Sequence, residues 1–471
     1  MEDKTTRIKA KPKDHNPSSL LKIPRIMIAG TGSGCGKTTV SCAVMKAFAK
    51  RKLRISPFKC GPDYIDPMFH AHILGRPSTN LDAFFFNENT LKALLAKNAA
   101  EDVNIIEGVM GFYDGLGIDS AAASSYEIAR VTQTPVILVM NAKGSAFSLL
   151  AQIRGFLDFL PENQICGVIL NRCSGMTYPK LAHAVRQHFG EKVSPMGFLP
   201  ELPDCTLESR HLGLVTAQEI DGLDDKLERL ALQAEKTLEL DLILRSARNA
   251  GTLSWEKLPI QHFPEKIRIG VAEDRAFCFY YHDNLDLLRE MGAEVLPFSP
   301  LSDKDLPEKI HGIYIGGGYP ELYAETLSEN KAMRSAVRIA LSEGMPCIAE
   351  CGGFMYLTNT IGGYPMAGVL PGSCYNTGKL TRFGYVTLTA KQDSMLCEKG
   401  TKIAAHEFHY WDCEKPGDGF TAEKCSGKQW ECIYTNSRLY AGFPHFHFFA
   451  NPESAVRFYS ACLRYKEEQH A

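Results

Sequence analysis

The stretch Arg25 to Val40, RIMIAGTGSGCGKTTV, limits what this chain can fold into more than any other. A short apolar run (Ile26, Met27, Ile28, Ala29) enters a loop carrying Gly30, Gly32, Gly34 and Gly36. Lys37, Thr38 and Thr39 then lead into a helical pattern. Strand, glycine loop and helix in that order make a phosphate-binding unit. The glycines let backbone N–H groups turn inward around phosphate oxygens, and the helix N-terminus adds a favourable dipole. Lys37 has the reach for the terminal phosphates, and the Thr38 hydroxyl is placed to ligate Mg²⁺. Thr31 stands where the usual G-x4-G-K-[ST] pattern has its first glycine. Counting from Gly30 gives G-x5-G-K-T, a loop one residue longer. The nucleotide-binding candidates here are Thr31, Gly32, Gly34, Gly36, Lys37, Thr38 and Thr39.

At 471 residues the chain exceeds one ordinary core, so two domains are expected. The formal net charge of -2 gives no reason to expect nucleic acid or an anionic membrane as partner. No apolar run is long enough to span a bilayer. The 15 cysteines are odd in number and scattered, with no C-x-x-C pair. That pattern fits a reducing cytoplasm better than a disulfide framework or a zinc site.

Residues 1–22 are polar and basic without periodicity, and read as a disordered tail. From Arg25 apolar strand patterns (26–30, 54–59, 103–109, 135–141, 165–171) alternate with helical ones (37–50, 120–132, 145–159, 178–189). The alternation predicts an α/β fold, a parallel doubly wound sheet with ligands at the carboxyl ends of its strands. At such ends stand Lys59-Cys60-Gly61-Pro62-Asp63-Tyr64-Ile65-Asp66-Pro67 and Glu107-Gly108-Val109-Met110-Gly111. Asp63 and Asp66 in their Gly/Pro-rich loop are either Mg²⁺ ligands or plain turn residues. Glu107 ends a buried strand where a Walker-B acid holds Mg²⁺. Asn171 ends another and is a candidate for recognising the base. Residues 216–249 read as an amphipathic helical pair closing the first domain (23–249), and 250–265 as a linker.

A second alternation fills 266–466, with strands at 267–273, 294–298, 312–316 and 346–350 and helices at 282–291 and 329–343. The strand at 346–350 runs straight into Cys351-Gly352-Gly353 and then a helix. This is a nucleophile elbow, whose sharp turn exposes the sulfur and whose helix N-terminus favours the thiolate. The base is sought in Ala441-Gly442-Phe443-Pro444-His445-Phe446-His447-Phe448, where His445 and His447 are both open. Backbone N–H groups of Gly317, Gly318 and Gly352 are the candidate oxyanion donors.

These segments together resemble a known family. Gly30 to Thr38 looks like the phosphate loop of dethiobiotin-synthetase-type ATPases, extra residue included. The Lys59–Pro67 and Glu107–Gly111 segments, with Arg210-His211-Leu212-Gly213-Leu214, resemble the signatures of cobyrinate a,c-diamide synthases. Gly316-Gly317-Gly318-Tyr319-Pro320-Glu321, Ala349-Glu350-Cys351-Gly352-Gly353 and His406-Glu407-Phe408-His409-Tyr410 resemble the class I glutamine amidotransferase half of the same enzymes. The resemblance spans about residues 25–465.

It implies a P-loop domain followed by a flavodoxin-like amidotransferase domain. The implied cofactors are ATP and Mg²⁺, and the implied substrates are L-glutamine and a tetrapyrrole polycarboxylate. Cys351 would attack glutamine with His445 as its base, and Thr38, Asp63, Asp66 and Glu107 would serve the metal. Tyr64 and Ile65 would lie against the acceptor. His447 occupies the position where class I enzymes carry the triad glutamate, so the implied site is a Cys–His dyad. Nickel sirohydrochlorin and hydrogenobyrinate remain alternative acceptors. A regulatory P-loop ATPase is the rival of another class, opposed by the absence of an early loop lysine. A homodimer is compatible with all of these.

Overall fold

The computed structural model describes residues 19–205, 209–210, 213–214 and 220–470. The N-terminal half is built on a seven-stranded, all-parallel sheet. Its spatial order is Thr79–Leu81, Ile55–Cys60, Val103–Glu107, Arg25–Gly30, Val136–Asn141, Ile165–Asn171, Ser194–Leu199. The phosphate-loop strand is central, and its residues are buried without exception, as a sheet covered on both faces demands. Side chains alternate between two cores. Ile26 and Ile28 pack with the helices Lys37–Lys50 and Leu223–Thr237, whereas Met27 and Ala29 pack with Glu88–Lys97 and Ser148–Phe159.

The C-terminal half carries two main sheets. The first has six strands ordered Ala293–Phe298, Ile267–Ala272, Gly312–Ile315, Cys347–Glu350, Leu439–Gly442, Tyr434–Thr435, parallel except for the last. The second is a five-stranded antiparallel sheet ordered Gln429–Cys432, Phe420–Glu423, Arg382–Ala390, Lys402–His409, His445–Phe446. It leans against the first half. Tyr385 donates to Asp82 Oδ2 (2.9 Å) and stacks on Phe84 at 4.4 Å. Asn98 donates to Asp283 (2.8 Å) across the same junction.

Several sequence expectations shift. Asp66 lies in the first turn of a helix, Ile65–Leu74, and not in an extended loop. Pro67 conceals that helix in the sequence, although a first-turn proline costs no hydrogen bond. Ser19–Leu21, placed with the tail, pairs antiparallel with Leu253–Trp255 in the stretch read as a linker. Residues 1–18 of the tail, 216–219 of the helical pair and His211-Leu212 of the signature segment lie outside the described residues. Among the described residues no helix is long and apolar enough to cross a membrane.

Candidate active site

The phosphate loop closes on its own strand ends. Gly36 has φ 100°, and a Cβ there would fall 1.9 Å from Asn171 Nδ2; only glycine fits. Asn171 Nδ2 donates to Cys35 O (2.9 Å), so this side chain braces the loop. It also borders a cavity of about 310 Å³ with Thr39, Arg172 and residues 199–203. Lys37 Nζ reaches across the loop to Gly32 O (3.2 Å) and Met110 O (2.5 Å). Thr38 Oγ1 donates to Glu107 Oε1 at 2.7 Å, which joins the loop threonine to the strand-end acid.

Around Glu107 lies a charge cluster whose cationic member was missed in the sequence. Lys59, 2% exposed, forms ion pairs with Asp66, with Glu107 (3.3 Å) and with Asp63 (3.6 Å). Buried His70 puts Nε2 2.8 Å from Glu107 Oε2. Burial by itself lifts Glu107. Lys59 and hydrogen bonds from His70 and Thr38 outweigh it and hold this carboxylate below the ordinary range. Burial and then the charge of Asp63 push Asp66 well up, with Lys59 opposing. Burial pulls Lys59 down, but Asp66, Glu107 and Asp63 overcome it and keep the ammonium charged.

Asp63 is largely occupied locally, for its Oδ1 accepts from the N–H groups of Ile65 (2.8 Å) and Asp66 (3.2 Å). Among the described residues no three His, Cys, Asp or Glu side chains form a metal cage. The Thr38 hydroxyl with Glu107 behind it suits an ion held mainly by nucleotide phosphates. Asp66 Oδ2 and Glu107 Oε1 both pair with Lys59.

The second centre is the elbow. Cys351 has φ 50° and ψ -104°, sits between the strand Cys347–Glu350 and the helix Gly352–Leu357, and is 6% exposed. A non-glycine residue in that region costs on the order of 1–3 kcal/mol and persists only where its surroundings enforce it. Here the Cys351 N–H is anchored to Gly442 O (2.8 Å), and Gly353 N–H donates to Gly316 O (3.0 Å).

His445 lies beside Cys351: a Cβ at Gly317 would fall 3.1 Å from His445 Nε2 and 3.4 Å from Cys351 Cβ. His445 Nδ1 lies 3.5 Å from Glu350 Oε2, an ion-pair contact longer than an ordinary hydrogen bond. Glu350 is 1% exposed and is fixed by Tyr314 OH (3.0 Å) and by Phe446 N–H (3.2 Å). Burial pulls the His445 imidazole down, but Cys351 and Glu350 beside it override this and raise it to about 10. Cys351, His445 and Glu350 thus stand together as thiol, imidazole and acid. Glu350 went unrecognised because it directly precedes the nucleophile. The position that class I enzymes fill with glutamate holds His447 here.

His447 points elsewhere. It is packed among Phe85, Phe86, Tyr281 and Phe449, accepts at Nδ1 from Phe449 N–H (3.2 Å), and is pushed down to about 3 by burial, then by Lys97. Of the three candidate oxyanion donors, Gly317 is withdrawn, since its N–H donates to Phe279 O (3.3 Å). Gly318 N lies 3.1 Å from where a Gly352 Cβ would stand, so the N–H groups of Gly318 and Gly352 remain as neighbours at the elbow.

A cavity of about 520 Å³ is lined by residues of both halves. Asp63, Tyr64, Ile65, Met110 and Leu116 line it from the first half, and Phe383, Tyr385, His406, Phe408, Lys424 and His445 from the second. Tyr64 is the seam: its ring stacks on Phe279 at 5.3 Å and lies 5.1 Å from His445.

Comparison with known proteins agrees with this two-part architecture. Residues 26–215 match the CobQ/CobB/MinD/ParA nucleotide binding domain, and residues 268–453 match the CobB/CobQ-like glutamine amidotransferase domain. Relatives named cobyrinate a,c-diamide synthase resemble the chain over almost its whole length. The Clostridium acetobutylicum protein is 41% identical over 433 residues, covering 90% of this chain and 97% of its own. The Thermoplasma volcanium protein is 37% identical over 459 residues, covering 95% and 99%. The chain is a carbon–nitrogen ligase with a P-loop nucleotide-binding domain and glutamine as amido donor. On this evidence it belongs to the cobyrinate a,c-diamide synthase family.

Proposed function

We propose that the protein uses ATP and glutamine to convert the a and c acetate carboxylates of cobyrinate into amides through acyl phosphates. The observation that carries this reading is the shared cavity, which has His445 on one side and Met110, the carbonyl partner of Lys37, on the other. The glutamine side rests on Cys351, His445 and Glu350. The Cys351 thiolate attacks the side-chain amide of glutamine, the Gly318 and Gly352 N–H groups receive the developing oxyanion, and imidazolium His445 gives its proton to the leaving ammonia. Water then hydrolyses the glutamyl thioester, with His445 as base. Glu350 holds the imidazole in orientation and balances its charge.

On the other side, Thr31, Gly32, Gly34, Gly36 and Lys37 hold the nucleotide phosphates, with Thr38, Thr39 and Asn171 at the edges of the site. Thr38 and Glu107 would hold Mg²⁺, which would supply charge neutralisation at the transferred phosphoryl group. The carboxylate takes that phosphoryl group, ammonia attacks the acyl carbon, and phosphate leaves.

Purified protein with ATP, Mg²⁺, glutamine and cobyrinate should yield the diamide by mass spectrometry. If cobyrinate stays untouched while nickel sirohydrochlorin or hydrogenobyrinate is amidated, the acceptor assigned here is wrong. Cys351→Ala should lose glutamine use yet still form amide from ammonium salts. Failure with ammonia as well would overturn the division of labour between the two halves.

A further inference from the structure

We propose that the shared cavity is the acceptor's binding site and that the amidotransferase half builds one wall of it, recognising a polycarboxylate macrocycle as well as releasing ammonia. This rests on the amidation reading above. Phe383 and Phe408 face each other as register partners on adjacent antiparallel strands, their rings 5.4 Å apart, yet they remain 51% and 40% exposed. An exposed aromatic pair inside a recess is a surface left for an apolar body to cover. Tyr385, two residues on, adds a third ring to that wall and is itself fixed by Asp82 and Phe84 of the other half.

The polar groups in this wall suit peripheral carboxylates. Lys424 is the only lysine or arginine among the described residues lining the cavity, and its ammonium is held at Phe383 O (2.6 Å). His406 is 6% exposed, lines the same wall, and has no hydrogen-bond partner at Nδ1. Burial, then the charges of His445 and Lys424, push it down to about 3. It is therefore a neutral imidazole, able to accept or donate without adding charge. The opposite wall contributes one carboxylate, Asp63. A volume of about 520 Å³ holds one edge of a macrocycle and leaves the rest over the exposed phenylalanines. An acetate on that edge would face Met110, whose carbonyl accepts from Lys37 Nζ, on one wall and His445 on the other.

Ammonium chloride as nitrogen source separates acceptor binding from glutamine chemistry. With ATP, Mg²⁺ and cobyrinate, Phe408→Ala and Lys424→Ala should each raise KM for cobyrinate about tenfold, the loss expected for a missing apolar wall or charged hydrogen bond. Lys424→Arg should restore most of the affinity. Ile339→Ala, an exposed apolar residue on the helix Lys331–Ser342, is the control and should leave that KM unaltered. Thermal melting of each variant separates lost affinity from lost folding. If the wild type amidates cobyrinate with ammonia and properly folded Phe408→Ala and Lys424→Ala variants keep its KM, the cavity is not the acceptor site. If the wild type forms no amide from cobyrinate with ammonia, the amidation reading fails first and this proposal falls with it.

Discussion

At the residue scale the main feature is where the acid of the glutamine site comes from. Glu350, buried and held by Tyr314 and Phe446, approaches His445 from the residue before the nucleophile. Glu350→Gln should keep the site's shape and lower glutamine hydrolysis on the order of 10²-fold or more, because the imidazolium loses its counter-charge. The pH–rate profile of glutamine hydrolysis should shift to lower pH as the His445 pKa falls, and ammonia-dependent amidation should persist. An unshifted profile would remove Glu350 from this role. Stability gives an independent reading. His445 is raised to about 10 in the folded protein from an ordinary 6.5. Its stabilising contribution is therefore whole below about pH 6.5 and is lost as the pH climbs through about 10. In urea unfolding, His445→Gln should lose less stability than the wild type across that interval. Parallel curves would show that His445 is not held protonated.

At the scale of elements, the segment from Lys59 to the helix Ile65–Leu74 decides the local electrostatics. Three carboxylates converge on one buried ammonium. Lys59→Met should cost about 3–5 kcal/mol, the range for breaking a buried ion pair from one side. Acidification should restore part of that loss. Asp66 already has a raised pKa, so it takes up a proton in the folded state before it would in the unfolded chain, and stability rises as pH falls through that value. Urea melts at neutral and mildly acidic pH check both statements, and a loss that deepens on acidification would contradict them. The sequence showed Asp63 and Asp66 as a pair of equals. The helix start separates them: Asp63 caps backbone N–H groups while Asp66 faces Lys59.

At the scale of the whole molecule, the two halves meet through rings. Tyr64 belongs to the segment whose aspartates touch Lys59, and its ring lies against Phe279, Tyr281 and His445 of the other half. Tyr64 therefore joins the segment beside Lys59 to the ring of His445. Tyr64→Ala should uncouple the two halves, so that glutamate release exceeds amide formation. Matching yields of glutamate and amide in that variant would show that coupling runs elsewhere.

The local sequence determined much of this protein. Apolar runs fully buried between two helix layers, a glycine loop between strand and helix, and a cysteine before Gly-Gly are short-range patterns, and each specifies its own turn and its own chemistry. The central strands, the phosphate loop and the elbow stand where those patterns place them. What lay out of reach depends on residues far apart in the chain. Lys59 meets Glu107, Gly317 N–H is consumed by Phe279 O, and His445 and His447, two residues apart on one segment, face a thiol and an aromatic cage respectively. Burial and partner, not residue type, set the charge state of a histidine or a carboxylate, and both are properties of packing. Only the tertiary structure could therefore turn His447 into an aromatic cage, set Glu350 beside His445 and bring both halves onto one cavity.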